Sequence, residues 1–186
     1  KKTVADVMRD IEATQWFFPD VDWAYQKGLM IGVNSNTYAP YGTISPATVT
    51  VVLSRLNGAD LSRWANETAE GVTPDQWYSA AASWARECGL LPEGPFTVTP
   101  AMTRGQMAVM LVKYLKYLGF ECVLPAKQVA FTDAALMTED ENAAFQVLYQ
   151  YGIFKGIGNY TMDVSGPTTR AQFAVLMHRL SVFVGE

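Results

Sequence analysis

The amino-acid sequence predicts an all-α fold of three helix–loop–helix units. Two observations lead there. An apolar stripe of helical period occurs three times, and a glycine stop signal precedes each stripe at a similar distance. A third observation marks where two of the striped helices begin. Thr103-Arg104-Gly105-Gln106 and Thr169-Arg170-Ala171-Gln172 each place threonine at an N-cap with glutamine three residues on, the pattern of a capping box.

Each element has its own warrant. In the first copy Ser45 takes the capping position and Pro46 the first helical one, which suits proline because its missing N–H would be unpaired there anyway. Downstream, the stripes are Val49, Val52, Leu53 and Leu56; Met107, Met110, Leu111 and Tyr114; and Phe173, Leu176, Met177 and Leu180. That is the i, i+3, i+4, i+7 spacing of a helix burying one face. A cation recurs nine places after each start, at Arg55, Lys113 and Arg179, where it complements the helix dipole. Upstream, an earlier helix ends at Gly28-Leu29, Gly89-Leu90 and Gly152-Ile153, glycine followed by a hydrophobe. From glycine to helix start the loops run from 28 to 46, 89 to 104 and 152 to 170, and the landmarks Tyr38, Phe96 and Met162 stand eight before each start. The middle loop is therefore three residues shorter, with the deletion around Leu91 to Gly94. The units are expected at residues 1–60, 61–124 and 125–186, with connectors at Asn57 to Pro74 and Gly119 to Gln128.

The arginines at 104 and 170 ask for a second explanation. A cation in the first helical turn opposes the dipole, at a cost of a few tenths of a kcal/mol or more. Its recurrence points to something negative at the helix start. Unpaired N–H groups and a guanidinium fork suit a carboxylate, so Arg104 and Arg170 are the candidate ligand-binding residues. The alternative is an ion pair with Asp or Glu of a neighbouring copy. Trp16, Trp23, Trp77 and Trp84 recur at helical spacing and read first as core; stacking on a ligand face is the second reading. Gly32 and Gly156, which with Trp23 and Trp84 are secondary ligand-binding candidates, lie in turn-forming loops, Gly32-Val33-Asn34-Ser35-Asn36 and Gly156-Ile157-Gly158-Asn159. His178 reads as a boundary residue, and Glu139-Asp140-Glu141 as a solvated helix N-terminus.

Composition narrows the function. A net charge of −4 over 186 residues argues against nucleic acid, which needs a basic face. No apolar run approaches the roughly 18 residues of a membrane span, so no membrane insertion is expected. The start at Lys1-Lys2-Thr3 reads as a fragment or processed product. Cys88 and Cys122 are too few for a disulfide framework, and a bridge between them stays open. No nucleophile–base pair, carboxylate dyad, metal cluster or phosphate loop stands out. Neither catalysis nor a cofactor or metal is expected.

The segments Trp23-Ala24-Tyr25-Gln26-Lys27-Gly28-Leu29-Met30, Gln76-Trp77-Tyr78-Ser79-Ala80-Ala81 through Trp84-Ala85, and Phe131-Thr132-Asp133 with Gly152-Ile153-Phe154-Lys155-Gly156 resemble a triplet of S-layer homology repeats of the Gram-positive bacterial type. The helix starts resemble that family's Thr-Arg-Ala-Glu signature. The acidic position is Gln106 and Gln172 in copies two and three and Thr48 in copy one, where Pro46 also replaces the arginine. The Phe-x-Asp opening reads Phe131-x-Asp133 in copy three, Val4-x-Asp6 in copy one, and is lost at Ala69-x-Gly71 in copy two. The resemblance implies a pseudo-threefold helical spindle. It implies binding of secondary cell-wall polysaccharide, often pyruvylated, in grooves between repeats, and an extracellular place at the cell wall. Other surface or S-layer proteins are further partners it admits. The rival expectation is a degenerate module serving as a structural or protein-interaction domain.

Overall fold

The computed structural model describes residues 1–185. Six α-helices form: α1 Phe18–Gln26, α2 Pro46–Asn57, α3 Ser79–Glu87, α4 Arg104–Tyr117, α5 Glu139–Gln150 and α6 Arg170–Val184. Among the described residues no strand forms, and only isolated β-bridges join loop segments. The all-α expectation holds.

The start and stop signals work as chemistry. Thr103 and Thr169 complete capping boxes with Gln106 and Gln172. Ser45 Oγ accepts from the Thr48 N–H, so α2 keeps a sound cap. Gly28, Gly89 and Gly152 adopt φ of 70°, 72° and 70°, and the N–H of the following residue donates five residues back, from Leu29 to Ala24, Leu90 to Ala85 and Ile153 to Leu148. Those are Schellman closures.

The chain divides into two compact units. One holds Lys1–Ile44 and the chain from Thr168 on, and there α1 packs against α6. The other is Ser45–Pro167, where α2 packs against α3 and α4 against α5. Each pair joins the second helix of one sequence copy to the first helix of another. The stripes are buried, with Val49, Val52, Leu53, Met107, Leu111, Phe173, Met177 and Leu180 all at 4% exposure or less, except that Leu56 at the end of the first is half-buried. Such burial stabilises by roughly 25 cal/mol per Å² of apolar surface.

One alignment is corrected by hydrogen bonding. The counterpart of Asp133 in the first copy is Asp10, not Asp6. Asp133 accepts from the N–H groups of Met162 and Val164, and Asp10 accepts from those of Tyr38 and Ala39. Two residues earlier stand Phe131 and Met8, both buried, so the first copy opens Met8-x-Asp10. Asp6 instead turns back to cap Thr3. In the second copy the carboxylate is replaced by a backbone oxygen, since the Phe96 N–H donates to the Gly71 carbonyl.

Cys88 and Cys122 are both free thiols, which closes the question of a bridge. Burial raises each above an ordinary thiol pKa.

Candidate functional site

Arg104 and Arg170 start α4 and α6, as the capping boxes predict, and both are buried, at 6% and 8% exposure. Their backbone ties correspond, while the ring beside each guanidinium comes from a different position. The Nε of Arg104 donates to the Met162 carbonyl at 2.7 Å, and its guanidinium lies 4.7 Å from the Phe154 ring centroid. The Nε of Arg170 donates to the Tyr38 carbonyl at 2.9 Å, and its guanidinium lies 5.4 Å from the Tyr38 ring. The backbone completes each tie. The Arg104 and Gly105 N–H groups donate to Gly166 and Val164, and those of Arg170 and Ala171 to Gly42 and Pro40. Met162 and Tyr38 are both landmarks eight residues before a helix start. Each arginine therefore clasps the loop of another copy and spends Nε on the protein's own backbone.

At both positions the Nε meets an oxygen of the chain itself, a backbone carbonyl. The first turn does face oxygen atoms, but backbone carbonyls supply them. Burial lowers the pKa of Arg170, while the nearby Tyr38 and Asp10 act to raise it. The same burial pushes the Tyr38 hydroxyl above its usual range.

The other candidates divide. Trp84 is core at 6% exposure. Trp23 is half-buried and stacks on His178, with centroids 4.5 Å apart and planes at 15°. His178 Nδ1 lies 2.8 Å from Asp20, so that histidine belongs to the α1–α6 contact. Trp16 and Trp77 depart from the core reading. They are 66% and 67% exposed, each resting edge-on against its neighbour, Phe17 or Tyr78. Gly32 and Gly156 are packing positions. A Cβ at Gly32 would stand 2.8 Å from Met8 Cε, and one at Gly156 would overlap Met162 and Thr161.

The third helix start differs. Pro46 has neither a guanidinium nor an N–H to offer, and Ala47, Val72, Tyr78 and Ala82 form an apolar cluster there with Phe96 and Val98. Beside it, within Ser45–Pro167, lies a cavity of about 430 Å³. Pro46, the shortened loop from Leu90 to Pro100, and the Gln106, Met110 and Lys113 face of α4 form most of its wall. Asp140 and Glu141 at the start of α5 add carboxylates. Arg86 also lines it, donating to the carbonyls of Pro92 and Gly94, while its buried Nε has no partner. The volume falls within the ~300–1,000 Å³ typical of small-molecule sites. Sequence reasoning took Lys113 for helix-end stabilisation and passed over Arg86. The three-residue deletion was the signal that this loop covers less.

Comparison with known proteins gives two findings. The family profile of the S-layer homology domain matches residues 8–45 and 130–174. The matches begin at Met8 and Ala130, just ahead of the loop-holding carboxylates Asp10 and Asp133. An endoglucanase of Bacillus sp. (strain KSM-635) is 26% identical over 182 residues, which cover 96% of this chain. The chain spans 19% of that relative's length.

Proposed function

We propose that this chain, which carries S-layer homology domains, is a non-catalytic module. It anchors the protein containing it to secondary cell-wall polysaccharide outside the cell. S-layer homology domains associate bacterial proteins with cell-wall polysaccharide, and the two matched segments carry the reading. The cavity beside Pro46 supplies a place for the glycan. A cell-wall glycan bearing a carboxylate, such as a pyruvate ketal, meets the Lys113 ammonium there. Leu91, Pro95, Phe96 and Met110 offer apolar wall to the ring faces of sugars.

Arg104 and Arg170 serve binding as positioning residues, through the loops they clasp. The exposed faces of Trp16 and Trp77 are further sugar-stacking surfaces. The endoglucanase activity in the relative's name is that protein's, and nothing of it is carried to this chain.

Co-sedimentation with purified wall sacculi, before and after polysaccharide extraction, tests the reading. Native walls should retain the protein and stripped walls should not. Lys113→Ala should lower affinity about ten- to a hundredfold, the range for a charge-assisted hydrogen bond. Equal retention by native and stripped walls, or by neither, would favour a protein-interaction module.

A further inference from the structure

We infer that the cavity beside Pro46 holds the protonated amine of an amino sugar, in the place an arginine side chain takes at the two corresponding helix starts. The inference rests on the reading of this cavity as a glycan site and adds the chemistry of what it recognises.

Two occupied examples define the place. Arg104 lies over Phe154 with Nε on the Met162 carbonyl, while its backbone N–H and that of Gly105 meet Gly166 and Val164. Arg170 lies over Tyr38, bonds the Tyr38 carbonyl, and with Ala171 meets Gly42 and Pro40. The shared landmarks give the third set. Pro46 replaces the arginine, Leu91 stands for Phe154, and Phe96 for Met162 and Tyr38. Val98 and Pro100 stand for the carbonyls that accept from the backbone.

Among the described residues none of the bonds of the first two sets recurs in the third, although Ala47 keeps its N–H. Proline has no N–H and no cation. Among the described residues no group donates to the carbonyls of Phe96, Val98 or Pro100. Thr103 bridges to Pro167 and Thr169 to Thr43, but among the described residues Ser45 forms no such bridge. Pro46, Leu91, Phe96 and Pro100 all line the cavity, so the open volume reaches the position the guanidinium occupies elsewhere.

The empty place is built for a donor-rich cation. Phe96, whose ring packs against Tyr78, lines the cavity, and an aromatic ring attracts a cation within about 6 Å of its centroid. Glu93, Asp140 and Glu141 supply three carboxylates against the cations of Arg86 and Lys113, and two nitrogens of Arg86 are already spent on carbonyls. An ammonium has three N–H donors to place on a carbonyl and a carboxylate. About 430 Å³ exceeds what an amine alone needs, and the remainder takes its sugar ring.

The probes are glucosamine, N-acetylglucosamine and glucose, titrated into the whole chain at about pH 6, where the amine keeps its proton. Amide NMR shifts and calorimetry report binding. Glucosamine should shift the amides of Leu90, Leu91, Phe96 and Thr97 and bind at least about tenfold more tightly than the other two sugars. Pro46→Arg, which supplies a guanidinium from the chain, should abolish that binding and raise the melting temperature. Phe96→Leu keeps the apolar volume and removes the ring, so glucosamine should weaken about tenfold even if Pro46→Arg fails to fold. Equal binding of the three sugars, or shifts confined to other segments, would overturn the inference. If that occurs while native sacculi still retain the protein, the amine is wrong and the wall-anchoring reading stands. If glucosamine binds as expected but no sacculi do, the wall-anchoring reading falls instead.

Discussion

The Nε of Arg170 donates to the main-chain carbonyl of Tyr38, 132 residues earlier in the chain, at 2.9 Å. Arg104 makes the same bond to Met162, 58 residues later. One residue type at one helical position thus joins segments far apart in sequence, twice, with an aromatic ring under the guanidinium each time.

Alanine at either arginine should therefore destabilise the fold. A hydrogen bond from a charged group contributes about 1.5–3 kcal/mol, and a desolvated cation–π contact about 0.5–2, so a loss of about 2–4 kcal/mol is expected. Lysine should recover only part, because it keeps the charge and loses the planar fork. Urea denaturation measures this. Unchanged midpoints for both alanine variants would return the arginines to the role of ligand forks, where the dipole argument expected no cost to folding.

Asp133 makes stability depend on pH. Burial works to raise its pKa, but the N–H groups of Val164 and Met162 bond its carboxylate and hold it below the ordinary value. A carboxyl lowered in the folded state stabilises above its unfolded pKa of about 3.9, and that contribution is lost as pH falls through the folded value. Asp133→Asn should cost about 1–2 kcal/mol at neutral pH and flatten the acid limb of the stability profile. Melting curves between about pH 2 and pH 7 read both effects. An acid limb as steep as that of the unaltered protein would show that other carboxylates set it.

The tryptophans should separate by burial. Trp84→Ala empties a core position and should cost about 3–5 kcal/mol. Trp16→Ala and Trp77→Ala remove side chains that are two-thirds exposed and should stay within about 1 kcal/mol of the unaltered protein. If the two exposed rings stack on sugar, their variants should still lose retention on sacculi. Chemical denaturation beside the sedimentation assay distinguishes the two behaviours.

The fold was legible wherever the code is local. A capping box, a glycine stop and a 3.6-residue stripe each act within a turn or two, so Thr103, Gly89 and the Met107–Tyr114 face could be read from neighbours alone. The loop clamp was harder. Asp10 and Asp6 are both short carboxylates near an N-terminal turn. Only the fold shows that Asp10 meets Tyr38 while Asp6 turns back on Thr3. The cavity was harder still. Deleting three loop residues announces a shorter cover, but not that Arg86 and Lys113 line what it leaves open.

By itself the sequence determined the helices, their ends, the threefold recurrence and the two residues that break the local electrostatic rule. Those properties depend on residues within a few positions of one another, so period and spacing express them fully. The tertiary structure decided what satisfied the rule-breakers. A guanidinium donates to carboxylates and carbonyls alike, and at Arg104 and Arg170 the packing of distant loops brings a carbonyl to the Nε. Beside Pro46 the same packing leaves the carbonyls of Phe96, Val98 and Pro100 without a donor among the described residues. Absence of a partner is a property of three dimensions, because only folding decides which groups come within about 3 Å of each other.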